Sequence, residues 1–193
     1  MKEKQRCEWA EDNTLLADYH DKEWGDLSGF QDDDYLFEML TLEGAQAGLS
    51  WLTILKRREA YREAFQEFRP EIVAAFTDED VEKLKQNTGI IRNERKIKAT
   101  IKNAAAVLDI ERQFGSFHQY LWNFAGEKQQ INHWETHQEV PASNGLSEDL
   151  SKDLKRRGFS FVGPVICYSF LQAIGLVVDH TAQCFKRKEG DAG

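Results

Sequence analysis

Cys7 and His20 stand near the start of the chain, and His180 and Cys184 near its end. Thiolate and imidazole are the preferred ligands of zinc, which takes four of them in a tetrahedral structural site. If all four meet at one ion, the two extremities of the polypeptide must fold against each other. Three residues separate His180 from Cys184, which on a helix would put both side chains on one face. A filled set of four protein ligands leaves no position for a reactive water, so such a site is structural and not hydrolytic. Spacing alone leaves open two unrelated surface Cys/His pairs. Asp21 and Asp179, each beside one of the histidines, are candidates to orient the imidazoles by hydrogen bonding.

The chain between these pairs reads as helical almost throughout, which makes the fold class all-α. Asp32-Asp33-Asp34 starts a helix that runs to about Ala47, where Gly48 can end it. Ser50 caps a second helix with Tyr61, Ala64, Phe65 and Phe68 at core-facing spacing. Pro70 starts a short helix, and Thr77-x-x-Asp80 has the form of a capping box for the next. Asn93 opens a long helix with the stripe Ile97, Ile101, Ala104, Ala105 and Leu108, and Gly115 ends it. Ser116 caps a short helix carrying Phe117, Tyr120, Leu121 and Phe124. Residues 126–146 are polar and turn-rich and read as a long surface connection. Ser147 caps a helix that ends at Gly158.

Residues 159–178 are twenty positions without a formal charge, long enough to span a bilayer. Pro164 and Gly175 cut this stretch to about three turns, which predicts a buried core helix, with Cys167 as an inert core thiol. No apolar leader follows Met1-Lys2-Glu3-Lys4, and three scattered cysteines build no disulfide framework, so the expected compartment is the reducing cytoplasm. The tail from Lys186 to Gly193 is expected to be disordered.

Charge is unevenly spread over a chain whose formal net charge is -8. Residues 11–43 carry eleven acids and one base, Lys22, whereas residues 83–102 carry seven bases and one acid, Glu94. The second stretch can form a basic face able to meet phosphates, or simply a solvated helix surface. Within it, Asn87-Thr88-Gly89-Ile90-Ile91-Arg92 forms a hairpin between two helices. A positive φ at Gly89, free N–H groups at the next helix start, and Arg92, Arg95 and Lys96 would together suit one DNA phosphate.

Trp9, Tyr19 and Trp24 crowd around the first Cys/His pair, where a metal would hold them rigid. Aromatic faces stack on nucleobases. Glu43 lies among small and apolar helix residues, where a carboxylate is costly to bury without a partner. It is either an acceptor for amino groups and cations or an exposed helix residue, and Trp51 is either core or site.

Taken in order, these motifs resemble the bacterial DNA-3-methyladenine glycosylase I family over about residues 7 to 185. The matching stretches are Cys7-x-Trp9, Tyr19-His20-Asp21-x-Glu23-Trp24-Gly25 and Leu42-Glu43-Gly44 through Ser50-Trp51. Further on come Gly89-Ile90-Ile91-Arg92, then Lys155-Arg156-Arg157-Gly158-Phe159 through Cys167-Tyr168-Ser169-Phe170. The series closes with Gly175-Leu176-Val177-x-Asp179-His180 and Cys184-Phe185. The family carries a polar residue where this chain has Val178.

The resemblance implies a helix-hairpin-helix DNA glycosylase fold, one unit over residues 1–193 with two helical lobes flanking the pocket. One structural zinc on Cys7, His20, His180 and Cys184 would join the terminal segments. It implies removal of 3-methyladenine from alkylated double-stranded DNA by a monomeric enzyme, with no membrane partner. Glu43, the candidate catalytic carboxylate, and Tyr19 would hydrogen-bond the modified base, Trp51 would stack on it, and Trp9 and Trp24 would line the pocket. Gly48 and Leu49 would enter the gap left by the flipped nucleotide, and Gly89, Ile90 and Arg92 would grip the backbone.

Related helix-hairpin-helix families place a catalytic aspartate after the hairpin. Here the nearest acids are Glu94 and Asp109, and neither is assigned that role. The hairpin has no lysine, which points to simple hydrolysis of the N-glycosidic bond without strand cleavage. Two other classes compete: a metal-pinned binding module without catalysis, and a zinc hydrolase, which the filled ligand set disfavours.

Overall fold

The computed structural model describes residues 4–187, and helix dominates them. Ten α-helices follow in order: α1 (Thr14–Lys22), α2 (Asp33–Ala45), α3 (Trp51–Leu55), α4 (Arg58–Ala64) and α5 (Pro70–Val73), then α6 (Asp78–Gln86), α7 (Glu94–Phe114), α8 (Phe117–Phe124), α9 (Gly145–Arg156) and α10 (Pro164–Ala173). Side chains at the expected positions start several of them. Asp32 accepts from the N–H groups of Asp34 and Tyr35, Ser50 from Thr53, Asn93 from Lys96 and Ser116 from Gln119. Thr77 and Asp80 form the full capping box, and Pro164 takes the first helical position of α10. Among the described residues no helix is long and apolar enough to cross a membrane.

Helix α2 is the centre of the molecule, since every residue from Leu36 to Ala45 is buried. A helix buried on all sides must also bury its polar members. Glu38 is satisfied by Arg62 at 2.9 Å and by Arg58, which reaches on to Glu23 at 2.8 Å. This network fastens α4 to α2 and to the segment that follows α1. Glu38 and Arg58, its buried members, each have two charged partners, so neither depends on a single ion pair.

The structure departs from several sequence-based expectations. The helix expected from Ser50 through Phe68 breaks into α3, α4 and a left-handed turn, where Gln66, Glu67 and Phe68 have φ of 52°, 57° and 56°. Complete burial of Phe68 offsets part of the cost of that unfavourable backbone. Asn144, not Ser147, caps α9, and Ser147 closes the box from the third helical position. Residues 126–146 are more than a loop, because Gln130–Ile131 (β1) pairs in parallel with Val177–Val178 (β2). Val178 is thereby buried, which accounts for an apolar residue there.

Gly89 does not take a positive φ. A Cβ there would lie 2.7 Å from that of Ala60, so close packing excludes a side chain. Finally, Lys186 and Arg187 belong to the described structure, with Lys186 Nζ donating to the Asp21 carbonyl at 3.0 Å. Residues 188–193 of the expected tail lie outside the described residues. Cys167 fits its expected role: it is fully buried, and burial pushes its thiol up to about 12.

Gly89→Ala should destabilise the protein by about 1–3 kcal/mol, read by denaturant unfolding, because the hairpin cannot move off Ala60 without loss elsewhere.

Candidate metal centre and aromatic cavity

Cys7 precedes a short 3₁₀ turn (Glu8–Ala10), and His20 sits in the last turn of α1. His180 and Cys184 lie beyond β2, in a turn closed by the Cys184 N–H donating to the Thr181 carbonyl at 2.9 Å. The expected i,i+4 helical pairing is therefore replaced by a tight turn, which brings the same two side chains together. All four residues are buried, and their ligand atoms lie within 4.8 Å of one another.

Cys184 Sγ is 3.3 Å from His20 Nε2 and 3.4 Å from His180 Nδ1, and Cys7 Sγ is 3.6 Å from His180 Nδ1. Tetrahedral zinc bonds of about 2.3 Å to sulfur and 2.0–2.1 Å to nitrogen imply sulfur–nitrogen separations of about 3.5 Å. The donor set thus fits a metal in both chemistry and spacing. Cys184 is held low as a thiolate, chiefly by Cys7, which keeps the proton the pair shares.

Asp21 accepts from His20 Nδ1 at 2.9 Å and leaves Nε2 turned to the sulfurs, as expected. Burial alone would raise the Asp21 carboxyl, but hydrogen bonds from Arg6 and His20 bring it down to about 2. Asp179 behaves differently from expectation. Its two oxygens accept from Asn132, Trp134, Tyr168 and Gln172 at 2.6–2.7 Å, and none of these partners is His180. The backbone closes the same junction, with Phe185 N–H donating to the Gln5 carbonyl at 2.8 Å.

Aromatic rings pack directly on the cluster. Trp24 stacks on His20 at 5.9 Å and meets the edge of His180 at 4.8 Å, and Trp9 lies 5.1 Å from Trp24. Gly25, at φ 72°, makes this approach possible, since a Cβ there would come 2.9 Å from His180 Nε2. Tyr19 is next to His20 on α1 and touches Trp51 at 5.3 Å.

Trp9, Tyr19, Trp24, Glu43 and Trp51 all line one cavity of about 410 Å³. The structure brings together the five residues singled out for a base pocket. It adds Gln46, Tyr168, Gln172 and, from the polar connection, His137, Val140 and Pro141. Nothing in that connection's composition marks it as a wall of the cavity; only its ties to Asp179 and β2 bring it there.

Glu43 is the electrostatic centre of this cavity. No hydrogen bond or ion pair reaches it among the described residues, and burial pushes its carboxyl up to about 8. The Tyr19 hydroxyl and the Trp51 Nε1 are also buried without partners. An aromatic chamber with unsatisfied acceptors and donors suits a flat ring with polar edges. Gly48 and Leu49 border an adjoining space that shares Glu43, and Leu49 is 40% exposed.

The hairpin is set back from the cavity. Ile90 is buried, Arg92 is exposed, and Arg57 donates to the carbonyls of Thr88 and Gly89. The hairpin N–H groups of Gly89, Ile90 and Ile91 are already bonded, so the free main-chain donors of the expected anion site reduce to the N–H groups of Arg92, Glu94 and Arg95. Lys96 is also committed: its Nζ donates to the carbonyls of Ala45 and Ala47. Glu94 pairs with Lys85 and Lys98, Asp109 pairs with Arg112, and neither acid lines the cavity.

Fold and site together define a helical protein whose terminal segments are joined beside a base-sized aromatic chamber. A family model described as methyladenine glycosylase matches residues 9–187. The DNA-3-methyladenine glycosylase 1 of Escherichia coli (strain K12) is 49% identical over 180 residues, covering 93% of this chain and 95% of that protein. A structure of 3-methyladenine DNA glycosylase I from Staphylococcus aureus superimposes with a TM-score of 0.90 at 38% identity, covering 96% of this chain and 98% of the other. A tyrosine-to-phenylalanine variant of 3-methyladenine DNA glycosylase I, solved in complex with 3-methyladenine, gives a TM-score of 0.91 at 37% identity, with 96% and 99% covered. The chain belongs to the methyladenine glycosylase family.

Asp21→Asn keeps all four ligands but loses the carboxylate behind His20. Competition with a chromophoric chelator should show metal affinity lowered about 10–100-fold.

Proposed function

We propose that this chain is a monofunctional DNA-3-methyladenine glycosylase that flips the damaged base out of duplex DNA and hydrolyses its N-glycosidic bond, leaving an abasic site. The observation that carries this reading is Glu43, buried without a partner in an aromatic cavity. 3-Methyladenine is cationic while attached to deoxyribose and is already a good leaving group. The protein need supply no strong acid; it must extract the base and favour the path to a sugar cation. Trp51 and Tyr19 stack on and hydrogen-bond the electron-poor purine, Trp9 and Trp24 complete the wall, and cation–π attraction favours the charged base.

A carboxyl raised to about 8 is mostly neutral in the empty cavity at pH 7. Entry of a cation with N–H donors restores the ionised form, so normal adenine matches the site less well. Gly48 and Leu49 fill the gap in the duplex, and exposed Arg92 holds the backbone from the turn that Gly89 and Ile90 shape, whose own N–H groups are already bonded. Among the described residues no lysine lines the cavity, in keeping with hydrolysis that forms no Schiff base.

The ion is zinc, chosen for its match to two thiolates and two imidazoles, and it plays a structural part. Cys7, His20, His180 and Cys184 hold it, and so fix the aromatic wall. Residues 1–193 act as one cytoplasmic, monomeric unit of two helical lobes with the cavity between them.

Release of free 3-methyladenine from methylated DNA tests the reading directly, and no release at any protein concentration would end it. Borohydride should trap no protein–DNA adduct. If ionised Glu43 selects the base, excision should rise as pH is raised through about 8, and Glu43→Gln should cut it at least tenfold and flatten the profile. The stability effect has the opposite sign. The folded protein keeps this proton to about pH 8 whereas an unfolded chain loses it near 4.5, so stability falls as pH rises between those values. Glu43→Gln should therefore melt higher than the parent at pH 8, with the gap closing toward pH 5.

A further inference from the structure

The cavity carries one polar side chain whose orientation is fixed from outside it. Gln172, near the end of α10, is half-buried and lines the cavity together with Glu43 and Tyr19. Its main-chain carbonyl accepts from the Gly25 N–H at 2.9 Å, which holds α10 against the segment that carries Trp24. Its side-chain nitrogen donates to Asp179 Oδ2 at 2.7 Å. Asp179 is 1% exposed and does not line the cavity, so this bond turns the nitrogen away from the cavity. Among the described residues nothing donates to Gln172 Oε1, which leaves that oxygen for whatever the cavity holds.

The amide cannot turn over. Asp179 accepts from Tyr168 on the same oxygen at 2.6 Å, and from Asn132 and Trp134 on the other at 2.7 Å. A carboxylate ringed by donors in this way presents only acceptors. Reversing the Gln172 amide would set two acceptor oxygens against each other at the 2.7 Å now spanned by a hydrogen bond.

The other polar groups of the cavity lack this constraint. The Tyr19 hydroxyl has no partner and serves as donor or acceptor, and no hydrogen bond among the described residues holds the Gln46 amide. Glu43 responds to charge, but a carboxyl that burial raises to about 8 also keeps a proton, with which it can meet an oxo group. A fixed acceptor behaves differently. It pairs with an exocyclic amine and faces an exocyclic oxygen as an unpaired, repelling neighbour.

We propose that Gln172 is a specificity-determining residue of the cavity: its side-chain oxygen, held in place by Asp179, accepts from the 6-amino group of a purine and so rejects 6-oxo purines. Asp179 acts only through Gln172 and is a positioning residue. The inference rests on the reading that the cavity takes an alkylated purine base.

The test uses two free bases that differ only at position 6, 3-methyladenine and 3-methylhypoxanthine, with calorimetry on the metal-bound protein. The parent should bind the amino base more tightly. Gln172→Leu should narrow the ratio of the two affinities by about tenfold or more, since one base loses a hydrogen bond and the other a repulsion. A residue that merely supports the fold would lower both affinities together, so an unchanged ratio in Gln172→Leu would overturn the proposal. Should leucine there disturb the structure, seen as lost metal or helical signal, Gln172→Met keeps an unbranched shape and carries the same comparison. Asp179→Asn should narrow the ratio in the same direction, because an amide there can donate to Gln172 Oε1 and let the Gln172 nitrogen face the cavity. A ratio equal to the parent's in that variant would overturn the part given to Asp179. Release of 3-methyladenine from methylated DNA separates the two readings. A parent that releases it, with the ratio fixed in the Gln172 variants, keeps the glycosylase reading and loses this one. A parent that releases none loses the glycosylase reading whatever the ratios.

Discussion

The rest of the molecule depends on the contact between a thiol–imidazole pair that enters with the first helix and another that follows the last strand. Cys7, His20, His180 and Cys184 are wholly buried, and four such groups are stable in an apolar interior only if something satisfies them together. A tetrahedral ion does so, and the short sulfur–nitrogen separations already have the required size. The consequence reaches past the cluster. Trp24 packs on both imidazoles, Trp9 packs on Trp24, and Tyr19 is bonded through the chain to His20. The Cys/His cluster and one wall of the cavity are the same piece of structure.

A second clamp serves the opposite wall. Asp179 precedes His180 and gathers four hydrogen bonds, two from the segment after β1 and two from α10. The Trp134 carbonyl also accepts from the Ala182 N–H at 3.0 Å, inside the turn that carries the ligands. Through these bonds the connection that brings His137, Val140 and Pro141 to the cavity is fastened at the same junction. Between the two walls α2 presents Glu43 from a stretch buried from Leu36 to Ala45, which holds the unpaired carboxylate at the cavity without disorder around it.

Much of this was legible in residue order. Caps at Ser50, Thr77 and Ser116, and helix starts at Asp32-Asp33-Asp34 and Asn93, read correctly because a helix start is a local event that needs only the neighbouring N–H groups. The four ligands and the five cavity residues were legible as members of ordered motifs, since chemistry restricts residue type at such positions. What escaped was decided by tertiary contact. Phe68 is drawn into the core at the expense of three left-handed residues, and no periodicity signals that exchange. Gly89 serves close packing against Ala60 and not backbone freedom, a distinction that depends on a neighbour in another helix. The polar connection from residue 126 to 146 looks like solvent-facing chain because its role is carried by Asn132 and Trp134 reaching a buried carboxylate far along the sequence.

The central claim is that the metal does no chemistry and instead holds the pocket together. The most direct measurement is the affinity for free 3-methyladenine, by calorimetry, with and without the ion, alongside circular dichroism on the same samples. Removal of the metal should weaken base binding by about tenfold or more while most of the helical signal persists, because α2, α7 and α10 carry none of the four ligands. Equal affinity in the metal-free protein, with its helices intact, would contradict the account.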